Sequence, residues 1–255
     1  MKAIIIGASS GMGKELAKIL AKEKYELGLA ARRTELLKEL KSELDTKSFV
    51  KYIDVSKTDE AMNNLSELIK EMKDVDLIII TSGTGYINYE LDWSKEKETI
   101  DINVSGVTSM INIAFKYFMK KQSGHLVVLS SIAALKGNND SPAYSASKAF
   151  LANYLEGLRL KIKKDKLNIT ITDIRPGLVD TDMAKGEGLF WVQPVDKTAK
   201  QIYISIKKEK SCLCYKKMET YCIFNEMVLK IEFDGSISIF LNLNHNTLIA
   251  ESITS

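Results

Sequence analysis

Tyr144 and Lys148 stand four residues apart in the segment Tyr144-Ser145-Ala146-Ser147-Lys148. On a helix that spacing puts both side chains on one face, about one turn apart. A phenol ordinarily loses its proton near pH 10, and a neighbouring ammonium favours the phenolate and draws that value down. Such a pair can give or take a proton near neutral pH, as a reaction at a carbonyl or an alcohol requires. Alone the spacing proves little, because tyrosine and lysine fall four apart on many solvated helix faces. Its weight comes from the elements around it.

Residues Lys2 to Ile6 form a short apolar run that reads as a buried strand. Gly7-Ala8-Ser9-Ser10-Gly11-Met12-Gly13 follows, and then Leu16, Ala17, Ile19 and Leu20 recur at helical spacing. Strand, glycine-rich turn and helix is the order that brings backbone N–H groups and a helix N-terminus to a phosphate. Gly7 permits the tight turn, Gly11 the approach to a pyrophosphate, and Gly13 the close helix–strand contact. An ordinary glycine turn has the same composition, so its place directly after a strand is what favours the nucleotide reading. The second strand, Tyr25 to Ala31, ends in Ala31-Arg32-Arg33. Sites that prefer NAD usually carry an acid here for the ribose 2′-hydroxyl. Two guanidinium groups suit a 2′-phosphate instead. The alternative is a solvated arginine pair at the start of a helix capped by Thr34.

These motifs together resemble the short-chain dehydrogenase/reductase family in its compact single-domain form. The family's Gly-x-x-x-Gly-x-Gly pattern is matched by Gly7, Gly11 and Gly13, with Ser9, Ser10 and Met12 between them, and its Tyr-x-x-x-Lys pair by Tyr144 and Lys148. Its catalytic serine follows a strand, here Leu126 to Leu129, which makes Ser131 the match; its helical asparagine is matched by Asn103. Asp54-Val55 stands where the family meets adenine, and Pro176-Gly177, followed by Val179 and Thr181, where it meets nicotinamide. Two departures stand out. The family's Asn-Asn-Ala-Gly is Ile80-Thr81-Ser82-Gly83, so Thr81 replaces an asparagine that touches the cofactor, and a hydroxyl substitutes for it in part. The threonine before the first glycine is Ile6, which removes a bond that stiffens the turn.

The 255 residues suit one large α/β domain. With 36 basic and 33 acidic residues, the net charge of +3 is too small to argue for nucleic acid. No apolar run reaches the length of a membrane helix, and the start lacks the shape of a signal peptide, so the expectation is cytoplasmic. Strands are expected near 2–6, 25–31, 48–53, 76–81, 124–130 and 168–174, and helices near 11–23, 34–44, 57–72, 95–120, 143–164 and 195–208. That alternation predicts a doubly wound parallel sheet of Rossmann type, with the site at the carboxyl ends of its strands. Ala184 to Gln193, with Gly186, Gly188, Phe190 and Trp191, reads either as a substrate loop or as a surface connection with an aromatic anchor.

The catalytic domain is expected over 1–210 and an atypical tail over 211–255. All three cysteines, Cys212, Cys214 and Cys222, fall in the tail, where apolar periodicity fades. The histidines, His125 and His245, give no convincing metal-ligand spacing, so no metal is expected. Relatives place a last strand here and then a basic, aromatic helix. Back-translating Cys214 to Ile231 with A/T-rich codons and reading one base later yields Val-Ile-Lys-Arg-Trp-Lys-Leu-Ile-Ala-Tyr-Leu-Met-Lys-Trp-Phe and then a stop. The tail is therefore either a frameshifted ending or a divergent extension, expected to pack poorly beyond a short strand at 211–215.

The resemblance implies an NAD(P)-dependent oxidoreductase, NADPH preferred and NADH usable, that moves hydride between nicotinamide and a carbonyl or alcohol substrate. Tyr144 is the expected acid–base, Lys148 lowers its pKa and holds the nicotinamide ribose, Ser131 bonds the substrate oxygen, and Asn103 positions a water leading from Lys148 to solvent. The competing class is a non-catalytic dinucleotide-binding sensor or scaffold on the same fold. A homodimer or homotetramer is expected through the long helices, which carry Met110, Ile113, Phe115, Phe150 and Tyr154.

Overall fold

The computed structural model describes residues 1–181 and 192–209, and the backbone of 212–214. Its strands are β1 (Lys2–Ile6), β2 (Glu26–Ala31), β3 (Ser48–Tyr52), β4 (Leu77–Ile80), β5 (Gly124–Leu129), β6 (Ile169–Arg175) and β7 (Cys212–Cys214). All pair in parallel, in the order β3-β2-β1-β4-β5-β6-β7. The chain builds outward from β1 to β3, then returns to the other side of β1 and builds outward again. The reversal leaves a crevice between the carboxyl ends of β1 and β4, where such sheets bind ligands.

The central strands are apolar along their length because both of their faces are covered. On one face, Ile4, Ile6, Ile78, Ile80 and Val128 meet helices α3 (Thr58–Met72), α5 (Val107–Lys121) and α6 (Pro142–Asp165). On the other, Ile5, Leu29, Ile79 and Val127 meet α1 (Gly11–Lys22), α2 (Thr34–Glu43) and α7 (Val195–Lys207). Even and odd residues of each strand thus serve different layers, as the pleat demands.

The expected helix over 95–120 is one rod with an interruption: α4 (Trp93–Ile100), a π-helical turn over Asp101–Gly106, then α5. Thr34 does not cap α2. It is the first helical residue, after Arg33, and its hydroxyl donates to Glu35 at 3.0 Å. Met110 and Phe115, expected to enlarge an apolar outer face, are buried in the core, on the stripe that α5 forms with Val107, Ile111, Ala114 and Phe118. Phe150 does stay outside, 41% exposed, stacked on Tyr154 with ring centroids 5.9 Å apart. The short strand expected near 211–215 is β7, with Cys212 opposite Asp173 and Cys214 opposite Arg175. The rest of the tail, 215–255, and the expected loop from Ala184 to Trp191 lie outside the described residues. At the loop's end, Gln193 bridges to Val179. Among the described residues no helix is long and apolar enough to cross a membrane, and no cluster of His, Cys, Asp and Glu could hold a metal ion.

His125, on β5, shares a hydrogen bond of 2.8 Å with Thr172 on β6. Burial pushes its pKa down to about 4, with Glu209 pulling the other way. Between pH 6.5 and 4 the unfolded chain therefore takes up a proton that the folded chain refuses, and stability falls with pH. A loss of about 2 kcal/mol is expected between pH 7 and pH 5. His125→Gln should flatten that decline in urea titrations at the two pH values.

Candidate active site

A cavity of about 260 Å³ opens in the crevice between β1 and β4. Gly7, Ser9, Ser10, Gly11, Met12 and Gly13 line it at the start of α1. Ser10 flanks α1 in an extended conformation and makes no side-chain cap, which leaves the first-turn N–H groups for an anion. Gly7 and Gly11 adopt φ values of +100 and +54, which side chains disfavour. Gly13 is required by contact: a Cβ there would lie 2.2 Å from the Gly7 carbonyl oxygen.

Arg32 and Arg33 line the cavity from the end of β2, beside Ala31. Arg33 donates from Nη2 to the hydroxyls of Ser9 at 3.1 Å and Ser10 at 2.8 Å, so it reaches across to the glycine loop. Asp54 and Val55 line the next wall after β3, with one Asp54 oxygen accepting from Ser56. Thr81, Ser82 and Gly83 contribute from the end of β4, and Thr181 lines the cavity beside Gly11. Pro176, Gly177 and Val179 are not among the lining residues; the Pro176 carbonyl accepts from the Ile132 N–H at 3.0 Å, and Val179 is buried. Sequence reasoning missed Ile53 and Ile102 in the cavity wall. Both read as ordinary core positions, and nothing in their type marks them.

Thr81, which lines the cavity, also braces the glycine loop. Its hydroxyl donates to the Ile6 carbonyl at 3.0 Å and the Gly7 carbonyl at 3.1 Å, and a Cβ on Gly7 or Gly13 would strike it. The bond that Ile6 cannot supply from within the turn is thus supplied from the neighbouring strand.

The second group of residues gathers at the end of β5. Ser131 ends the strand's extension and hydrogen-bonds Tyr144. Tyr144 and Lys148 lie on the early turns of α6, which Pro142 begins. The Lys148 ammonium is 5% exposed, donates to the Leu129 carbonyl at 3.2 Å, and stands 5.6 Å from the Tyr144 ring centre. Gly85 packs against that ring so closely that a Cβ would approach it to 2.6 Å, a contact the sequence did not reveal. Gly83 joins the two groups: a Cβ there would lie 3.3 Å from both Lys148 Nζ and Asn103 Oδ1.

Asn103 sits in the π turn, fully buried. Its amide donates to the Thr84 carbonyl at 2.7 Å and to Ser147 at 3.0 Å, and its oxygen accepts from the Thr84 N–H at 2.8 Å. The side chain clamps the loop after β4 to α6.

The electrostatics also differ from expectation. Tyr144 is raised above its usual value, by burial first, with the Ser131 hydrogen bond opposing. Burial pushes Lys148 itself down to about 8, with the charge of Asp173 opposing.

Sequence comparison matches residues 1–189 to the family described as short chain dehydrogenase. An uncharacterized oxidoreductase of Myxococcus xanthus is 32% identical over 186 residues, 71% of this chain and 73% of that protein. One from Mycobacterium tuberculosis is 34% identical over 191 residues, 71% of this chain and 74% of that protein. In structure, an alcohol dehydrogenase of the archaeon Thermococcus sibiricus, solved with 5-hydroxy-NADP, superposes with a TM-score of 0.72 at 24% identity. That likeness of fold covers 81% of this chain and 90% of the other.

Thr81→Val removes the hydroxyl donor shared by the Gly7 and Ile6 carbonyls, while the Ile6 carbonyl keeps the backbone N–H of residue 81. Thermal or urea unfolding should show a loss of about 1–2 kcal/mol, and Thr81→Ser should restore most of it.

Proposed function

The chain belongs to the short-chain dehydrogenase family, and from that membership we propose that it is an NADPH-preferring carbonyl reductase or alcohol dehydrogenase. The observation that carries this reading is the convergence of Ser131, Tyr144 and Lys148 beside the glycine-lined cavity, joined to it through Gly83. A nicotinamide dinucleotide bound there would supply or accept the hydride. The uncapped start of α1 and the glycine loop would hold its pyrophosphate, Asp54 and Val55 its adenine, and Lys148 its inner ribose. Thr81 would act by stiffening the glycine loop.

Tyr144 gives its proton to the carbonyl oxygen during reduction, or takes one from the alcohol in reverse. Its raised pKa suits the first direction, since the phenol waits protonated. Ser131 donates to the same substrate oxygen and shares its growing charge. Asn103 is a positioning residue, holding the loop that carries Gly83 and Gly85 against α6. Arg33 supports the preference for NADPH: with Ala31 in place of an acid, its guanidinium already lies over the glycine loop, as a 2′-phosphate contact needs.

Tyr144→Phe keeps the ring and removes the proton. Turnover should fall about 10²-fold or more, since positioned acid–base groups contribute roughly 10²–10⁴, while dinucleotide binding by fluorescence stays near normal. Near-normal turnover in this variant would overturn the mechanism and favour a binding role.

Calorimetry should show tighter binding of NADPH than of NADH. Replacing Arg32 and Arg33 with alanine should erase the difference, by roughly 1–3 kcal/mol per charge-assisted contact. Equal affinities in the unaltered protein would remove the 2′-phosphate reading.

A further inference from the structure

Three consecutive residues at the end of β5 each hold a different partner. The Leu129 carbonyl accepts from Lys148, the Ser130 hydroxyl donates to Asp173, and Ser131 bonds Tyr144. Asp173 lies in the middle of β6 and is wholly buried. Its other carboxylate oxygen accepts from Arg175 Nε at 2.7 Å, and the Ser130 N–H donates to the neighbouring Ile174 carbonyl at 2.9 Å. β5 and β6 are thereby fastened at the point where β5 delivers Ser131.

A fully buried carboxylate is costly, and a pair with an adjacent arginine rarely repays the cost through stability alone. Here a second cation shares the strand end: Lys148 holds the carbonyl of Leu129, the residue before the Ser130 that holds Asp173. Around the Lys148 ammonium stand Tyr144 from its own helix, the Leu129 carbonyl from β5 and Gly83 from the loop after β4, with Asn103 of the π turn also against Gly83 and, on β6, Asp173 paired with Arg175. Among the described residues Asp173 supplies the negative charge, and it acts against the burial that disfavours the ammonium.

We propose that Asp173 is a positioning residue of the reaction centre: it is the buried counter-charge that keeps Lys148 an ammonium, and through Ser130 it fixes the strand end that carries Ser131. The proposal rests on reading Ser131, Tyr144 and Lys148 as that centre. Asp173→Asn preserves size and the acceptor for Ser130 but removes the charge, so Lys148 should give up its proton more readily. Arg175→Gln removes the opposing cation and should make Lys148 hold its proton more firmly.

The test is ¹⁵N-lysine NMR titration of the Lys148 Nζ in the free, full-length protein, with the signal assigned by its loss in Lys148→Met. Asp173→Asn should titrate about one pH unit lower than the unaltered protein, the size expected for loss of a nearby opposite charge. Arg175→Gln should titrate higher, and Asp173→Glu should stay near the unaltered value. With NADPH and 4-nitrobenzaldehyde as the probe, the alkaline fall in kcat/KM should move down in pH in Asp173→Asn. A Lys148 midpoint within about 0.3 pH unit of the unaltered protein in folded Asp173→Asn would overturn the proposal. If that variant does not fold, an unmoved midpoint in Arg175→Gln overturns it instead. The NMR readout needs no turnover, so it fails separately from the catalytic reading, which Tyr144→Phe decides.

Discussion

Lys148 is a cation withdrawn from water, and much of the molecule around it makes that tolerable. Taking an ammonium out of solvent costs several kcal/mol even after relaxation. The return comes from the Leu129 carbonyl at 3.2 Å and from the charge of Asp173, which opposes the depression of its pKa. Both partners sit on adjacent parallel strands, β5 and β6, whose register puts Leu129 beside Ile174. A slip of one residue between these strands would turn Asp173 to the other face of the sheet. The chemistry on α6 therefore depends on a pairing register some distance from any substrate.

The same logic governs the nucleotide side. The glycine loop gains its shape from β4, whose Thr81 hydroxyl bridges the carbonyls of Ile6 and Gly7. A cavity for an anion and a pocket for proton transfer thus hang on two pairs of strand ends, β1 with β4 and β5 with β6. Gly83 lies where the two meet, where a side chain would crowd Asn103 and Lys148. The reach from phosphate site to acid–base pair is fixed by backbone, which has little freedom once the sheet has formed.

The layers of the fold were legible because parallel strands buried on both faces write continuous apolar runs, as in Ala3 to Ile6 and Leu77 to Ile80, and because helices write a different period. The residues of the site were legible where function demands rare combinations: three glycines at fixed spacing, a tyrosine and a lysine one turn apart. What escaped was whatever depends on neighbours distant in sequence. The bracing of the glycine loop by Thr81 was not legible because its carbonyl partners lie 74 and 75 residues away. The raised pKa of Tyr144 escaped because spacing reveals a nearby charge but says nothing of the water excluded from both groups. Asp173 had left a visible mark, an acid inside the strand Ile169–Arg175, whose meaning only the fold supplies.

The π-helical turn over Asp101–Gly106 makes chain length a rotational variable. An α-helix advances about 100° per residue, so the extra residue in that turn sets the azimuth of everything after it. Deleting one residue there would shorten the rod by a little over an ångström, yet swing Met110, Ala114 and Phe118 off the sheet and bring polar positions inward. It would also uncouple Asn103 from Thr84 and Ser147. In this stretch a single-codon loss would be felt as a twist.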